Sequence, residues 1–230
     1  MSPGSSRSPS QTSANVIRRD VRIPPLGLEG ILALPPDVCS LVIFVHGSGS
    51  SRLSPRNTLV ADSLNARGIG TLLFDLLTAA EDNDRAKVFD ISLLARRLID
   101  VLRWVDGEPA LRSLPLGLFG ASTGAAAALV AASRLGDRIK AIVSRGGRPD
   151  LADAALPDVR APVLLLVGGS DRTVIALNED AAIRLKCPKL LHIVPGATHL
   201  FEEPGTLEQV TMLAGDWFQE YLGRTHGANA

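Results

Sequence analysis

At 230 residues, with 24 basic side chains against 24 acidic ones, the chain carries no overall charge that would draw it to nucleic acid or to an anionic membrane surface. Hydrophobic residues make up 46% and charged residues 21%, ordinary values for a globular protein, and the length suffices for one α/β core without disulfide or metal support. No apolar run reaches the roughly 18 residues that a membrane-spanning helix needs.

The first 15 residues, MSPGSSRSPSQTSAN, are rich in Ser and Pro and lack an apolar stretch, so they read as a disordered tail and not as a secretory signal. From Val16 to Ile23 and from Leu28 to Leu34, two β-rich runs flank a Pro-Pro-Leu-Gly turn and predict an antiparallel hairpin. Leu41–Val45 is continuous and β-branched, as expected of a strand buried on both faces. The runs 70–75, 116–120, 139–144, 163–167 and 190–194 repeat that character. Helical patterns lie between them at 56–67, 91–106, 123–135, 174–185 and 205–222, with 91–105 showing clear three-and-four apolar spacing. This alternation predicts a mostly parallel twisted sheet with helices on both faces, formed by a single domain over 16–223 and followed by a flexible tail at 224–230.

The sharpest motif is Gly120-Ala-Ser122-Thr-Gly124, placed between an apolar strand and an alanine-rich helical stretch. GxSxG alone is a weak pattern, but strand, GxSxG and helix in that order is the context of a nucleophile elbow, where a strained turn lifts the serine out of the sheet. A serine hydroxyl needs a base, and the base needs an orienting group. Of the four histidines, His226 lies in the polar tail, His192 lies inside a strand and His46 closes one. His199 stands in the loop between the last strand and the last helix and is the best base candidate. Asp171, directly after the run VLLLVGGS, is the candidate orienting acid, although a loop Asp also serves as a helix cap. The chain order Ser122, Asp171, His199 is the one this arrangement requires.

His46-Gly-Ser48-Gly follows the first buried strand, so the backbone N–H groups of Ser48 and Thr123 are the predicted oxyanion donors. A phosphate cradle is the competing reading of this glycine-rich loop, but GSGSSR lacks the Lys-Ser/Thr that such a loop carries. No metal or organic cofactor is implied. Cys39 and Cys187 form no CxxC pair and read as free thiols, which suits a reducing cytoplasm.

The segments FVHGSGSSR (44–52), SPRN (54–57), LLFDLLT (72–78), GLFGASTGAAAAL (117–129), VSRGGRPDLA (143–152), LLLVGGSD (164–171) and VPGATHLFEEPG (194–205) together resemble the dienelactone-hydrolase-like branch of the α/β-hydrolase superfamily. The resemblance implies an eight-strand type of sheet and a Ser-His-Asp triad. In one respect the chain departs from it: dienelactone hydrolases proper use a cysteine nucleophile where this sequence has Ser122.

The expected activity is therefore hydrolysis of a small ester or thioester through an acyl-enzyme, with a small molecule as partner and no nucleic acid or membrane. A homodimer is left open as the assembly. The stretch between Ser144 and the strand at 163 is too short for an independent cap, and 76–90 is the other place for a small flap. Arg52, Arg145 and Arg148, with Arg56 near them, are candidates to bind an anionic group on the substrate. They could equally pair with Asp75, Asp150 or Glu202 to brace the loops. The rival function is a binding or regulatory module that keeps the fold without catalysis.

Overall fold

The computed structural model describes residues 16–223. The tails expected at 1–15 and 224–230, and His226 with them, lie outside the described residues. Strands β1 (Ile17–Ile23) and β2 (Leu28–Leu34) pair antiparallel as the predicted hairpin, Ile23 opposite Leu28. The remaining strands are β3 (Leu41–Val45), β4 (Gly70–Phe74), β5 (Leu116–Ala121), β6 (Ile139–Arg145), β7 (Val163–Gly168) and β8 (Lys189–Val194). They join in one eight-stranded sheet of order β1-β2-β4-β3-β5-β6-β7-β8. All pairs from β4 through β8 are parallel, while β2 joins β4 antiparallel.

The helices are α1 (Pro55–Ala66), α2 (Ala79–Asp82), α3 (Arg85–Val88), α4 (Ile91–Gly107), α5 (Thr123–Leu135), α6 (Arg172–Arg184) and α7 (Thr206–Leu222). Side chains alternate across a strand, and the two sheet faces separate accordingly. Leu41, Ile43 and Val45 pack with Leu98, Leu102, Ala127 and Ala181 of α4, α5 and α6. Val42 and Phe44 pack with Val60 and Leu64 of α1 and Phe218 of α7. Each fully buried Leu or Phe contributes about 1.5–3 kcal/mol, so two complete apolar layers hold the sheet between them. The alanines at 125–128 are buried, which lets α5 lie close against the strands.

This order creates a crevice. The chain leaves β3 through α1 to β4 on one side, then returns through α4 to β5 on the other side of β3. The connections after β3 and β5 thus diverge at their carboxyl ends, which is where open α/β sheets bind ligands. The segment 76–90 folds as the short α2 and α3. Thr78 and Glu81 form a reciprocal capping box, and Glu81 also holds Arg97 of α4 at 2.7 Å. The connection from β6 to β7 is short and turns in a 3₁₀ manner at Pro149–Asp158 against α5 and α6, so among the described residues no large lid covers the crevice. Helix α6 begins two residues before the predicted position because Asp171 caps it.

Candidate active site

Ser122 directly follows β5 and stands at the N-cap position of α5, with φ 49° and ψ −124°. A non-glycine residue at positive φ is strained, and the neighbouring glycines show what enforces the turn. A Cβ on Gly120 would lie 2.5 Å from Ala125 Cα, and one on Gly124 would strike the carbonyl oxygens of Val45 and His46. The elbow is also held from β6 and its following loop: the Ser122 N–H donates to Arg145 O at 3.3 Å, and the Arg148 N–H donates to Ser122 O at 3.1 Å.

His199 lies in the loop between β8 and α7, and its Nδ1 is 2.8 Å from Asp171 Oδ2. A carboxylate only accepts, so the proton sits on Nδ1 and the Nε2 lone pair is left available. The other oxygen of Asp171 accepts the Val174 N–H at 3.4 Å. Asp171 is thus both a helix cap and the partner of His199. The two loops approach closely because Gly168 lacks a side chain, its absent Cβ falling 2.5 Å from the carbonyl oxygens of Ala197 and Thr198. The Ser170 N–H donates to Ala197 O at 2.9 Å, and the Thr198 N–H to Glu203 Oε2 at 3.0 Å. Thr198, through its hydroxyl first and this N–H second, holds the Glu203 carboxyl below its usual range. Gly146, one residue beyond β6, passes beneath the imidazole, with its absent Cβ 3.6 Å from His199 Cε1. Ser122 and His199 line one cleft of about 680 Å³, together with Gly47, Ser48, Arg56, Asp82 and Arg145.

Ser48 stands beside the elbow, and a Cβ on the preceding Gly47 would lie 2.9 Å from Ser122 Cβ. The Ser48 N–H donates to Thr123 Oγ1 at 3.0 Å, so this predicted oxyanion donor is engaged by the side chain of the residue whose N–H is the other predicted donor. Thr123 is the first residue of α5, and its own N–H has no intrahelical carbonyl to meet. His46 is buried; its Nδ1 pairs with Gly47 O at 3.0 Å and its Nε2 accepts the Leu76 N–H at 3.1 Å. Burial lowers its pKa from the ordinary histidine value. His192 is on β8, in the edge position of the sheet.

The arginines divide. Arg52 bonds both Asp75 oxygens, through its backbone N–H at 2.7 Å and through its guanidinium, and meets Glu29 at 2.6 Å. It borders a separate hollow with His46 and Thr78. Arg148 grips Asp150 through two bonds of 2.8 Å, which raise its pKa. Arg56 meets Glu202 at 3.1 Å. These pairs are the bracing interactions, and they leave Arg145 as the one of the three predicted anion-binding arginines that lines the Ser122 cleft. Arg145 is 8% exposed, and its Nη2 donates to Asn57 Oδ1 at 3.3 Å. Burial, followed by repulsion from Arg56, lowers its pKa to about 10.

Comparison with known proteins gives a consistent family. The chain is 50% identical to a dienelactone hydrolase from Anabaena variabilis, with a TM-score of 0.86 over 91% of this chain and 99% of that one. The Est1E protein of Butyrivibrio proteoclasticus shares the fold at 18% identity, with a TM-score of 0.75 over 90% of this chain and 99% of its own. A protein of Mycobacterium tuberculosis, provisionally named a phosphoribosyl transferase, is 57% identical over 200 residues, 86% of this chain but 45% of its own length. This chain therefore spans less than half of that longer relative. The dienelactone hydrolase family model matches residues 29–220, and the chain belongs to that family.

Proposed function

We propose that this family member is a serine hydrolase that cleaves a small ester or thioester through an acyl-enzyme on Ser122. The observation that carries this reading is the 2.8 Å bond from His199 to Asp171, with His199 and the strained Ser122 facing one cleft. The Ser122 Oγ attacks the substrate carbonyl while its proton passes to His199 Nε2, and Asp171 stabilises the imidazolium that forms. Collapse of the tetrahedral intermediate returns that proton to the leaving alcohol or thiol. Water then attacks the acyl group with His199 again as base, releasing the acid and restoring the serine. The N–H groups of Ser48 and Thr123 are the proposed donors to the oxyanion. For Ser48 this requires exchanging the Thr123 hydroxyl for the developing alkoxide, which is a stronger acceptor because it is charged.

The short β6–β7 connection and open cleft favour small substrates over long lipids. The two cysteines described, Cys39 exposed and Cys187 buried, are both free, and on that we infer a reducing, cytoplasmic setting. The test is labelling with a fluorophosphonate, alongside turnover of p-nitrophenyl acetate and butyrate. Wild type should label and turn over, and Ser122→Ala should do neither. Labelling that persists in Ser122→Ala would reassign the nucleophile, and a wild type inert to both would leave the non-catalytic module as the better reading.

The name of the longer mycobacterial relative supplies a second reading, phosphoribosyl transfer. The paired His199 and Asp171 beside an elbow serine favour acyl hydrolysis for the portion shared with this chain. Consumption of phosphoribosyl diphosphate by this chain, unaffected by Ser122→Ala, would reverse that preference.

A further inference from the structure

The peptide between Gly147 and Arg148 is gripped at both ends. Its N–H, on Arg148, donates to Ser122 O at 3.1 Å. Its carbonyl, on Gly147, accepts from Asn178 Nδ2 at 3.0 Å. A trans peptide directs these two groups to opposite sides, so one rigid plane spans from α6 to the nucleophile elbow. Asn178 is 0% exposed, and its Nδ2 donates again to Val174 O at 2.8 Å. Both partners are carbonyl oxygens, which only accept, so the NH₂ of the amide is fixed toward them. That leaves Asn178 Oδ1 buried without a hydrogen-bond partner. A buried amide oxygen left unmet costs stability, and packing alone would be served by an apolar side chain. The bond to Gly147 is what an amide at this position supplies.

We propose that Asn178 is a positioning residue for Ser122, acting through the Gly147–Arg148 peptide. The proposal rests on the serine-hydrolase reading. Ser122 holds φ 49°, and a strained backbone persists only where its surroundings over-determine it. Its carbonyl also accepts the Ala125 N–H at 3.1 Å, a bond within the turn itself, whereas the Arg148 bond reaches it from another segment. The peptide has no room to drift: a Cβ on Gly147 would lie 1.9 Å from Ser144 Oγ and 2.7 Å from Ala125 Cβ. Without the Asn178 donor, Gly147 O is left unmet in the interior. Turning that carbonyl toward a new partner rotates the whole plane and takes the Arg148 N–H away from Ser122. The same helix turn serves the candidate acid, because the Val174 N–H donates to Asp171 Oδ1 while the Val174 carbonyl accepts from Asn178. Asn178 therefore ties the segment that orients His199 to the one that holds the nucleophile.

The experiment counts active sites by fluorophosphonate labelling taken to completion and gives kcat on p-nitrophenyl acetate per labelled site. Asn178→Leu, similar in volume but without a donor, should lower kcat per site by about 10- to 100-fold while KM changes less than about twofold. A merely structural asparagine would reduce the number of sites that label and leave each one at the wild-type rate. Asn178→Ala, a smaller change that suits a helix, should show the same loss and decides the matter if Asn178→Leu fails to fold. A second arm follows amide hydrogen exchange. The Arg148 N–H should exchange at least about tenfold faster in either variant than in wild type, since its hold on Ser122 O is loosened. An unchanged kcat per site, or an Arg148 amide as protected as in wild type, overturns the positioning role and leaves the hydrolase reading standing. A wild type that neither labels nor turns over removes that reading, and the positioning role with it.

Discussion

Asp171 divides its carboxylate between His199 and Val174: Oδ2 meets the imidazole Nδ1 at 2.8 Å, and Oδ1 accepts the Val174 N–H at 3.4 Å. The same side chain thus orients the candidate base and starts α6. The two roles can be separated, because an Asn caps a helix about as well as an Asp but cannot accept in the same way from His199. Asp171→Asn should lower kcat on a p-nitrophenyl ester by about 10³- to 10⁴-fold while leaving the urea midpoint nearly unchanged. Asp171→Ala should also lose about 1 kcal/mol of stability. Equal activity in Asp171→Asn and wild type would remove Asp171 from the mechanism.

The elbow is set by backbone contact, so its glycines should resist the smallest enlargement. An alanine at position 124 meets two carbonyl oxygens, of Val45 at the end of the buried β3 and of His46 just beyond it. Gly124→Ala should cost about 1–3 kcal/mol in urea unfolding, or fail to fold, with Gly120→Ala close behind. Gly196→Ala offers a control: nothing lies near its Cβ position, and its positive φ alone should cost about 1 kcal/mol.

Asp75 acts at one remove from the chemistry. It holds the Arg52 backbone and guanidinium, and so pins the loop that carries the Ser48 N–H. We expect Asp75→Asn to reduce kcat by about tenfold with little change in KM, since an oxyanion donor matters most in the transition state. The check is a full kinetic split together with the rate of fluorophosphonate labelling. A change confined to KM would place Asp75 in substrate binding instead.

His46 should make stability depend on pH. Its folded-state pKa is lowered by burial, so below about pH 6.5 the unfolded chain binds a proton that the folded one resists. Stability from this group is complete above that value and falls as the pH drops beneath it. Wild type should therefore lose more thermal stability between about pH 7.5 and pH 5.5 than His46→Asn does. Parallel curves for the two proteins would show that the imidazole does not titrate in this way.

What could be read in advance was local. The antiparallel hairpin, the buried β-branched runs and the strand–GxSxG–helix junction around Ser122 are patterns over neighbouring residues, and periodicity and glycine sterics report them directly. The candidate order Ser122, Asp171, His199 is a reading of the same local kind, because each stands in the stretch that follows a strand such patterns mark. Helix α6 starts two residues ahead of the expected 174 because Asp171, readable along the chain either as a cap or as the orienting acid, is both at once.

The arginines could not be sorted this way. Arg52, Arg56, Arg145 and Arg148 look alike along the chain, yet Arg56 finds Glu202 and Arg145 finds only Asn57 across separations of 146 and 88 residues. The engagement of the Ser48 N–H by Thr123, 75 residues away, is of the same kind. Sequence by itself determined which residues could do chemistry, since that follows from side-chain type and local geometry. Only the folded sheet decided which charges are neutralised and which are left unpaired, because pairing depends on where distant segments meet and how much water they exclude.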